Sequence, residues 1–258
     1  MSSILLSIEN GIATITLNRP DKLNSFNREM ALLFQQILDD CEADQTVRCI
    51  VLTGAGKGFC AGQDLAEVVD PNGPGMQRIL NEHYNPIIEK IRLLQKPIVA
   101  AVNGVAAGAG ANLAFACDIV ISISSASFIQ AFSKIGLIPD SGGTYTLPRL
   151  IGFQRASALM MLGDKVGAEE ALTMGMLYKV FDESAFAEET KKIATTLAQM
   201  PTKALAYIKE ALNASSTNNL TQQLALEDQL QQKAAATNDF KEGVAAFLAK
   251  RAPIYHGN

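Results

Sequence analysis

One carboxylate lies where the sequence could control both its position and its proton affinity. Asp140 stands in residues 136–144 (GLIPDSGGT), between an apolar run and a pair of glycines. Apolar surroundings disfavour the charged form of a carboxyl group, which raises its pKa and makes it a better proton acceptor near neutral pH. We therefore interpret Asp140 as a candidate catalytic base. The same letters are also typical of a plain turn or helix cap, because Pro and Asp preset turn geometry.

Two other glycine-rich segments could act with this base. Residues 58–65 (GFCAGQDL) and 103–113 (NGVAAGAGANL) each follow an apolar run, at 48–54 and 97–102. Short runs rich in β-branched residues and bounded by Gly or Pro are typical of buried strands. Each glycine-rich segment is thus predicted as a tight turn after a strand, where backbone N–H groups can approach a ligand closely.

Two such turns facing each other could form an oxyanion hole, in which preorganised N–H groups stabilise negative charge on a carbonyl oxygen. We predict a helix that begins near Gly108, so that its free N–H groups and its dipole add to this effect. Ordinary strand-to-helix connections are the alternative. A dinucleotide-binding turn is disfavoured, because Leu113 stands where the third glycine of that motif belongs and the turn lies outside the first strand–helix unit.

Five motifs, in order over nearly the whole chain, resemble the crotonase (enoyl-CoA hydratase/isomerase) superfamily. They are NRP with LN at 18–24, FCAG-x-D at 59–64, NG-x-A-x-G-x-G at 103–110, CD at 117–118 and P-x-x-GGT at 139–144. The resemblance implies an α/β fold, a crotonase-like spiral of ββα units with a C-terminal helical trimerisation region. We assign residues 1–190 to the spiral core domain and 191–258 to the helical region.

The resemblance also implies how the substrate, an acyl-CoA thioester, is bound. The two N–H groups that grip the thioester oxygen would belong to Gln63 and Ala109, with Asp140 as the base. Coenzyme A, which is part of the substrate and not a cofactor, is expected against a set of residues from both ends of the chain: Lys22, Leu23, Ala61, Asp64, Leu65, Phe247 and Lys250. Phe247 and Lys250 would come from a neighbouring subunit, in a homotrimer or a dimer of trimers.

Two departures from the family pattern bear on the reaction type. Hydratases of the superfamily carry glutamates where this chain has Asn112 and Phe132. Neither an amide nor a phenyl ring exchanges protons near pH 7, whereas adding water to a 2-enoyl thioester needs a group to activate water and a group to protonate the α-carbon. Asp140 alone suits double-bond migration, in which one base moves a proton between two carbons of a thioester enolate.

Longer runs resemble the branch of the superfamily that isomerises ring-1,2-epoxyphenylacetyl-CoA in phenylacetate catabolism. These runs are residues 24–27, 84–86, 103–111, 131–140 and 242–251. The resemblance implies conversion of the epoxide to oxepin-CoA and a shift of 3,4 double bonds to the 2,3 position. An enoyl-CoA hydratase and a catalytically silent acyl-CoA-binding scaffold are the alternatives. An aryl-CoA dehalogenase is disfavoured, because the chain has no Trp and its two histidines, His83 and His256, lie outside the motifs.

Composition excludes several other classes. The 258 residues are 48% hydrophobic, enough to bury a large core, and the net charge is −4. That charge disfavours a nucleic-acid surface, which is usually basic. We expect no membrane role, since the sequence shows neither a secretory signal nor an apolar run long enough to span a bilayer. The four cysteines lack metal-ligand or disulfide spacing, which indicates reduced thiols and a cytoplasmic protein without a metal.

Pattern and turn signals predict the elements around the motifs. We expect a β-hairpin at 3–9 and 12–17 and helices at 27–44, 202–214 and 220–236. Residues 65–76, rich in Pro and Gly, are predicted as a mobile flap over the acyl end of the site and not as a packed element. His83 is predicted on a helix surface.

Overall fold

The structure is a computed structural model that describes residues 2–258 as two sheets enclosed by helices. The strands are β1 (Ile4–Glu9), β2 (Ile12–Leu17), β3 (Cys49–Gly54), β4 (Gly58–Cys60), β5 (Ile98–Val102), β6 (Val105–Ala107), β7 (Ile119–Ile123), β8 (Ser127–Ile129), β9 (Lys165–Gly167) and β10 (Lys179–Phe181). The α-helices are α1 (Arg28–Ala43), α2 (Leu65–Val69), α3 (Gly75–Arg78), α4 (Asn85–Leu93), α5 (Ala109–Ala116), α6 (Gly143–Ile151), α7 (Phe153–Leu162), α8 (Ala168–Met174), α9 (Glu183–Gln199), α10 (Thr202–Ser215), α11 (Leu220–Ala235) and α12 (Asn238–Leu248).

From β3 to β8, successive strands alternate between the two sheets. The larger sheet has the order β1-β2-β3-β5-β7-β10 and the smaller has the order β4-β6-β8-β9. Each turn of the chain therefore gives one strand to each sheet, as β3 and β4, β5 and β6, and β7 and β8 do. Strands β3 and β5 are almost wholly buried, as expected for parallel strands covered on both faces. The α/β spiral of ββα units predicted from sequence is confirmed.

Local signals placed the first elements correctly. Strands β1 and β2 pair antiparallel around Asn10 and Gly11, which have φ of +52° and +80°. Positive φ at both central residues matches the twist of the flanking strands, so Asn-Gly favours this hairpin. Helix α1 begins after Asn27, whose side chain accepts a hydrogen bond from the N–H of Met30.

The structure adds helices to the predicted flap and corrects the predicted position of His83. Residues 65–76 contain α2 and the start of α3, and their mobility as a flap stays a prediction. Asp64 caps α2 by accepting a hydrogen bond from the N–H of Ala66. His83 is 0% exposed, because a π-helical turn over Ile79–Tyr84 directs it inward.

The C-terminal helices continue directly from the core. Helix α9 packs on the larger sheet through β2, β3 and β7, and the boundary assigned at residues 190 and 191 falls inside it. Helices α10 and α11 pack against each other, close to their predicted bounds. The division into two domains and the role of this region in trimer formation stay predictions.

A buried ion pair fastens α10 to the core. The ammonium group of Lys209 donates to the Asp118 carboxylate at 2.8 Å, and that carboxylate also accepts from the N–H of Ile98 at 2.9 Å. Arg92 lies 3.6 Å from the other carboxylate oxygen. Burial lowers the pKa of Lys209, while the Asp118 charge opposes that shift. The positive charge of Lys209 at this buried position is therefore stabilised by Asp118.

Replacing Lys209 with Met is expected to destabilise the protein by about 3 kcal/mol, the lower end of the cost of leaving a buried charge uncompensated, because Arg92 remains nearby. Urea unfolding measures the difference. The matched control is Lys203→Met, which removes an exposed lysine from the same helix and should change the unfolding free energy by less than about 0.5 kcal/mol. Equal unfolding free energies for the two variants would contradict the stabilising role of the pair.

Candidate active site

Glycines let the two predicted turns pack directly on each other. A Cβ on Gly104 would lie 2.1 Å from the carbonyl oxygen of Lys57, and a Cβ on Gly110 would lie 2.2 Å from that of Cys60. Such distances are far inside van der Waals contact, so only glycine fits at either position. The spacing of glycines in 103–110 therefore follows from close contact between the turn before α5 and the segment that contains β4.

This packing brings two backbone N–H groups together. Gly62 has φ of +89°, and a Cβ there would lie 3.3 Å from the nitrogen of Ala109. Around Gln63, the Gly62 carbonyl and the Asp64 N–H bond to Phe26, which leaves the N–H of Gln63 on the other side of the chain. Ala109 is the first residue of α5, so its N–H has no helical partner. Within residues 2–258, neither N–H has a hydrogen-bond acceptor.

The Gln63 and Ala109 backbones border a cavity of about 300 Å³ that Asp140 also lines. The large side chains around it are apolar: Leu65, Val68, Met76, Ile79, Phe132, Ile135 and Leu137. Among the described residues that line this cavity, Asp140 alone has an ionisable side chain. A larger cavity of about 430 Å³ lies between the larger sheet and α9, and none of the site residues predicted from sequence lines it.

Asp140 is held at the cavity wall in an environment suited to a base. Burial raises the pKa of its carboxyl group above the usual range, and a 2.8 Å hydrogen bond from the Ser141 hydroxyl opposes part of that shift. Ser141 and Gly142 follow with φ of +50° and +71°. Two successive left-handed residues turn the chain sharply into α6, which leaves the Asp140 side chain facing the cavity.

Phe132 and Asn112, at the two positions where hydratases carry glutamate, have different surroundings in the structure. Phe132 lines the cavity, and its ring lies 3.7 Å from the place of a Cβ on Gly108. Asn112 does not line the cavity. It is 1% exposed, and its side-chain amide faces the backbone of Asp140. Neither side chain therefore offers the substrate a group that exchanges protons.

Three of the residues expected near coenzyme A lie at or beside the first turn. The N–H of Ala61 donates to the carbonyl of Leu23 at 2.9 Å. The Asn24 amide joins the same segments by donating to the carbonyl of Gly58 at 2.8 Å. Lys22 and Leu23 are exposed at the end of a short 3-10 turn, Pro20–Lys22. The structure thus brings Lys22, Leu23 and Ala61 together at one edge of the site.

Asp64 and Leu65, the next two predicted residues, have different surroundings. The Asp64 carboxylate pairs with Arg19 at 2.8 Å and caps α2. Burial alone would raise the pKa of Asp64, but the hydrogen bonds from Arg19 and from the N–H of Ala66 hold it below its usual value. These contacts hold Asp64 in place beside the first turn, and its part in binding coenzyme A stays a prediction. Leu65 lines the cavity.

Phe247 and Lys250 lie apart from this cavity. Phe247 is 83% exposed near the end of α12, and Lys250 follows that helix. Helix α12 packs on α11, and neither residue lines the cavity of its own chain. Their contribution to a neighbouring subunit stays a prediction.

A polar cluster behind the cavity was missed by sequence reasoning. The Gln63 side chain donates to Glu67 at 2.8 Å, and the other oxygen of Glu67 accepts from the N–H of Arg28 at 2.9 Å. The Arg28 guanidinium lies 3.1 Å from Nε2 of His83, whose pKa is lowered by burial. The cluster ties α2 and the first turn to α1. The apolar lining from Val68, Met76 and Ile79 was also missed, since it depends on how α2 and α3 fold over the site.

The described residues contain neither a helix long and apolar enough to cross a membrane nor a group of three or more His, Cys, Asp or Glu side chains that could hold a metal ion. All four cysteines are free and buried.

The chain folds as a spiral of ββα units, and its cavity has two free N–H groups beside one carboxylate. This combination of fold and site is that of a crotonase-type enzyme. The chain belongs to the enoyl-CoA hydratase/isomerase family, whose model matches residues 7–258. The superfamily identified from the motifs is thereby confirmed. The chain is a crotonase-family acyl-CoA isomerase/hydratase, and the choice between these two activities depends on the site.

Two relatives and one solved structure illustrate the similarity. The chain is 49% identical over 260 residues to the 1,2-epoxyphenylacetyl-CoA isomerase of Escherichia coli K12, covering 100% of this chain and 99% of that protein. It is 38% identical over 257 residues to the trans-2-decenoyl-[acyl-carrier-protein] isomerase of Streptococcus mutans, covering 98% of both. The crystal structure of an enoyl-CoA hydratase from Bacillus anthracis matches with a TM-score of 0.93 at 33% identity and covers 100% of both chains.

Proposed function

We propose that this protein is an acyl-CoA isomerase in which one aspartate base works with a backbone oxyanion hole. The observation that carries the proposal is the position of Asp140, the ionisable side chain of an otherwise apolar cavity that the N–H groups of Gln63 and Ala109 border. Preorganised donors of this kind stabilise negative charge that develops on a thioester oxygen. A single base beside them can both remove and return a proton.

For a 3-enoyl-CoA the proposed steps balance without any other reactant. The thioester oxygen accepts hydrogen bonds from Gln63 and Ala109, and the Asp140 carboxylate removes a proton from C2. The C–H electron pair forms the enolate, whose negative charge lies on the thioester oxygen. The carboxylic acid of Asp140 then returns the proton to C4, and the double bond moves from C3 to C2. The raised pKa of Asp140 favours this cycle, because a base is most effective when its pKa lies close to the working pH.

Hydration is the alternative reaction in this family, and the cavity disfavours it. A hydratase must hold and activate a water molecule next to the double bond. Phe132 and its apolar neighbours offer that water no hydrogen-bonding side chain, and Asn112 is turned away toward the backbone. The carboxylate of Asp140 is already used by the proposed isomerisation, so hydration would lack a second group that exchanges protons.

We further propose ring-1,2-epoxyphenylacetyl-CoA as a substrate. The name of the Escherichia coli relative at 49% identity supports it, and so does a cavity of about 300 Å³ lined by Phe132, Met76 and other apolar side chains, which suits a six-membered ring. Asp140 removes the α-proton, and the C–H electron pair forms a double bond from the α-carbon to the ring. The carbon–carbon bond of the epoxide breaks, which leaves the oxygen in a seven-membered ring, and the electron pair of that bond takes up the returned proton at a ring carbon. All atoms are again conserved.

The coenzyme A portion would lie along Lys22, Leu23 and Ala61, with Phe247 and Lys250 from a neighbouring subunit. Three observations support this arrangement: the contact of Leu23 with Ala61, the exposed Lys22 ammonium, which suits a phosphate, and the exposure of Phe247 on its own chain. The proposal includes a homotrimer or dimer of trimers in the cytoplasm.

A product assay separates isomerase from hydratase. We expect the purified protein to convert 3-enoyl-CoA and the ring epoxide to products of unchanged mass and altered ultraviolet spectrum. Incubation with 2-enoyl-CoA should add no water, as read by mass spectrometry. Strong hydration of 2-enoyl-CoA, or no conversion of either isomerase substrate, would contradict the proposal.

A further inference from the structure

The loop that carries Asp140 adopts a backbone conformation that needs support. Ser141, a residue with a Cβ, has φ of +50°, and Gly142 follows with φ of +71°. Strained conformations of this kind persist only where the surrounding structure holds them. Two hydrogen bonds reach the carbonyl oxygen of Asp140 itself, one from the N–H of Gly143 at 2.8 Å and one from Nδ2 of Asn112 at 2.9 Å.

The orientation of the Asn112 amide is fixed from its other end. Its Oδ1 accepts a 2.8 Å hydrogen bond from Nε2 of Gln130, and both residues are almost wholly buried. Because a carbonyl oxygen can only accept, Nδ2 of Asn112 must face Asp140. A Cβ on Gly143 would lie 2.3 Å from Nδ2 of Asn112, so the amide packs directly against the loop.

We infer that Asn112 is a positioning residue for the base, so the inference rests on the function proposed above. By holding the carbonyl of Asp140, Asn112 fixes the backbone from which the carboxyl group reaches the cavity. It touches neither the cavity nor the free N–H groups. The position where hydratases of the superfamily carry glutamate thus serves the backbone of the base in this chain. Gln130, which orients the amide, completes the arrangement.

Replacing Asn112 with Ala is expected to lower kcat for 3-enoyl-CoA isomerisation by about 10²-fold, since a small misplacement of a catalytic group has an effect of that size. KM should change little, because the cavity wall and both N–H donors are left intact. Steady-state kinetics measure the two parameters separately. A folded variant with unchanged kcat would overturn the inference, and so would a variant whose loss is wholly in KM.

Asn112→Asp gives a signature that a purely structural residue would not produce. When protonated, the introduced carboxyl can donate to the Asp140 carbonyl and still accept from Gln130, so activity is kept. When ionised, the carboxylate can only accept, so one of its oxygens faces the carbonyl oxygen of Asp140 without a hydrogen bond. The rate of this variant relative to the wild type should therefore fall as pH rises, while circular dichroism shows the same fold throughout. A ratio that is independent of pH would count against the inference.

Two controls separate this inference from general instability and from the proposed function. Ser122→Ala removes a buried polar group of a different kind, a hydroxyl without a partner among the described residues, and should leave kcat unchanged. Crystal structures of the wild type and Asn112→Ala give a readout that needs no activity: Ser141 should leave its left-handed conformation and the Asp140 carboxyl should shift. An inactive wild type would contradict the proposed function alone, whereas an unchanged loop would overturn the role of Asn112. If Asn112→Ala does not fold, structures of Asn112→Asp at acidic and at neutral pH supply the same comparison, because the carboxyl supports the Asp140 carbonyl only when it is protonated.

Discussion

Asp140→Asn is expected to lower the rate of isomerisation by about 10²–10⁴-fold while binding of the acyl-CoA thioester is retained. The amide has the size of the carboxylate but cannot accept a proton, and among the described lining residues no other ionisable side chain can replace it. The two N–H groups proposed to bind the thioester oxygen are untouched. Steady-state kinetics with 3-enoyl-CoA measure the loss, and titration with a saturated acyl-CoA measures the binding.

The pH dependence of the wild type provides a second readout of the same group. Because burial raises the pKa of Asp140, the base is protonated and inactive at acidic pH. The value of kcat/KM should therefore rise with pH through a pKa above the usual carboxyl range. The matched control, Asp182→Asn, alters an exposed carboxylate before α9 and should keep both rate and profile. Near wild-type turnover by Asp140→Asn would rule out the proposed mechanism.

The parts of the fold that the sequence predicted are those with local causes. The Asn10-Gly11 hairpin depends on residues that tolerate positive φ, and the apolar runs of β3 and β5 report their own burial. The tight turns were recognisable because glycine is required where Gly104 and Gly110 meet backbone oxygens. Each signal is contained within a few residues, so no knowledge of the tertiary structure was needed.

The placement of His83 and the direction of the Asn112 amide have long-range causes. His83 lies on a helical segment with no strong apolar period, and its burial depends on Arg28, 55 positions away. The direction of the Asn112 side chain is set by Gln130 and by the carbonyl of Asp140, neither of which belongs to its motif. Helix α2 was missed for a local reason, because the Pro- and Gly-rich composition of residues 65–76 concealed a helix whose cap, Asp64, directly precedes it.

The use of backbone donors in the proposed oxyanion hole explains why such a site is hard to recognise from residue types. A side-chain donor would show as a fixed amide, hydroxyl or cation, but an N–H belongs to any residue other than proline. What this arrangement requires is a backbone path, set here by Gly62 and by the packing of Gly110 on Cys60. Gln63 and Ala109 can therefore stand at the two donor positions without any chemical likeness between them.

Proline at position 109 tests this backbone role, because it removes the N–H and little else. Ala109 is the first residue of α5, where the N–H has no helical partner and where the fixed φ of proline suits a helix start. Ala109→Pro should remove about 2.7–4 kcal/mol of transition-state stabilisation, the usual contribution of one oxyanion-hole donor. The measured quantity is kcat/KM for 3-enoyl-CoA.

Ala109→Gly is the matched control, since it changes the side chain at the same position but keeps the N–H, and it should isomerise at close to the wild-type rate. Circular dichroism and gel filtration must show that both variants fold and assemble as the wild type does, because Gly108, in an unusual conformation with φ of +54°, precedes the substituted position. A correctly folded Ala109→Pro protein that isomerises its substrate at the normal rate would show that this N–H is not part of an oxyanion hole. The glycine-rich turn would then serve only to bring α5 against β4.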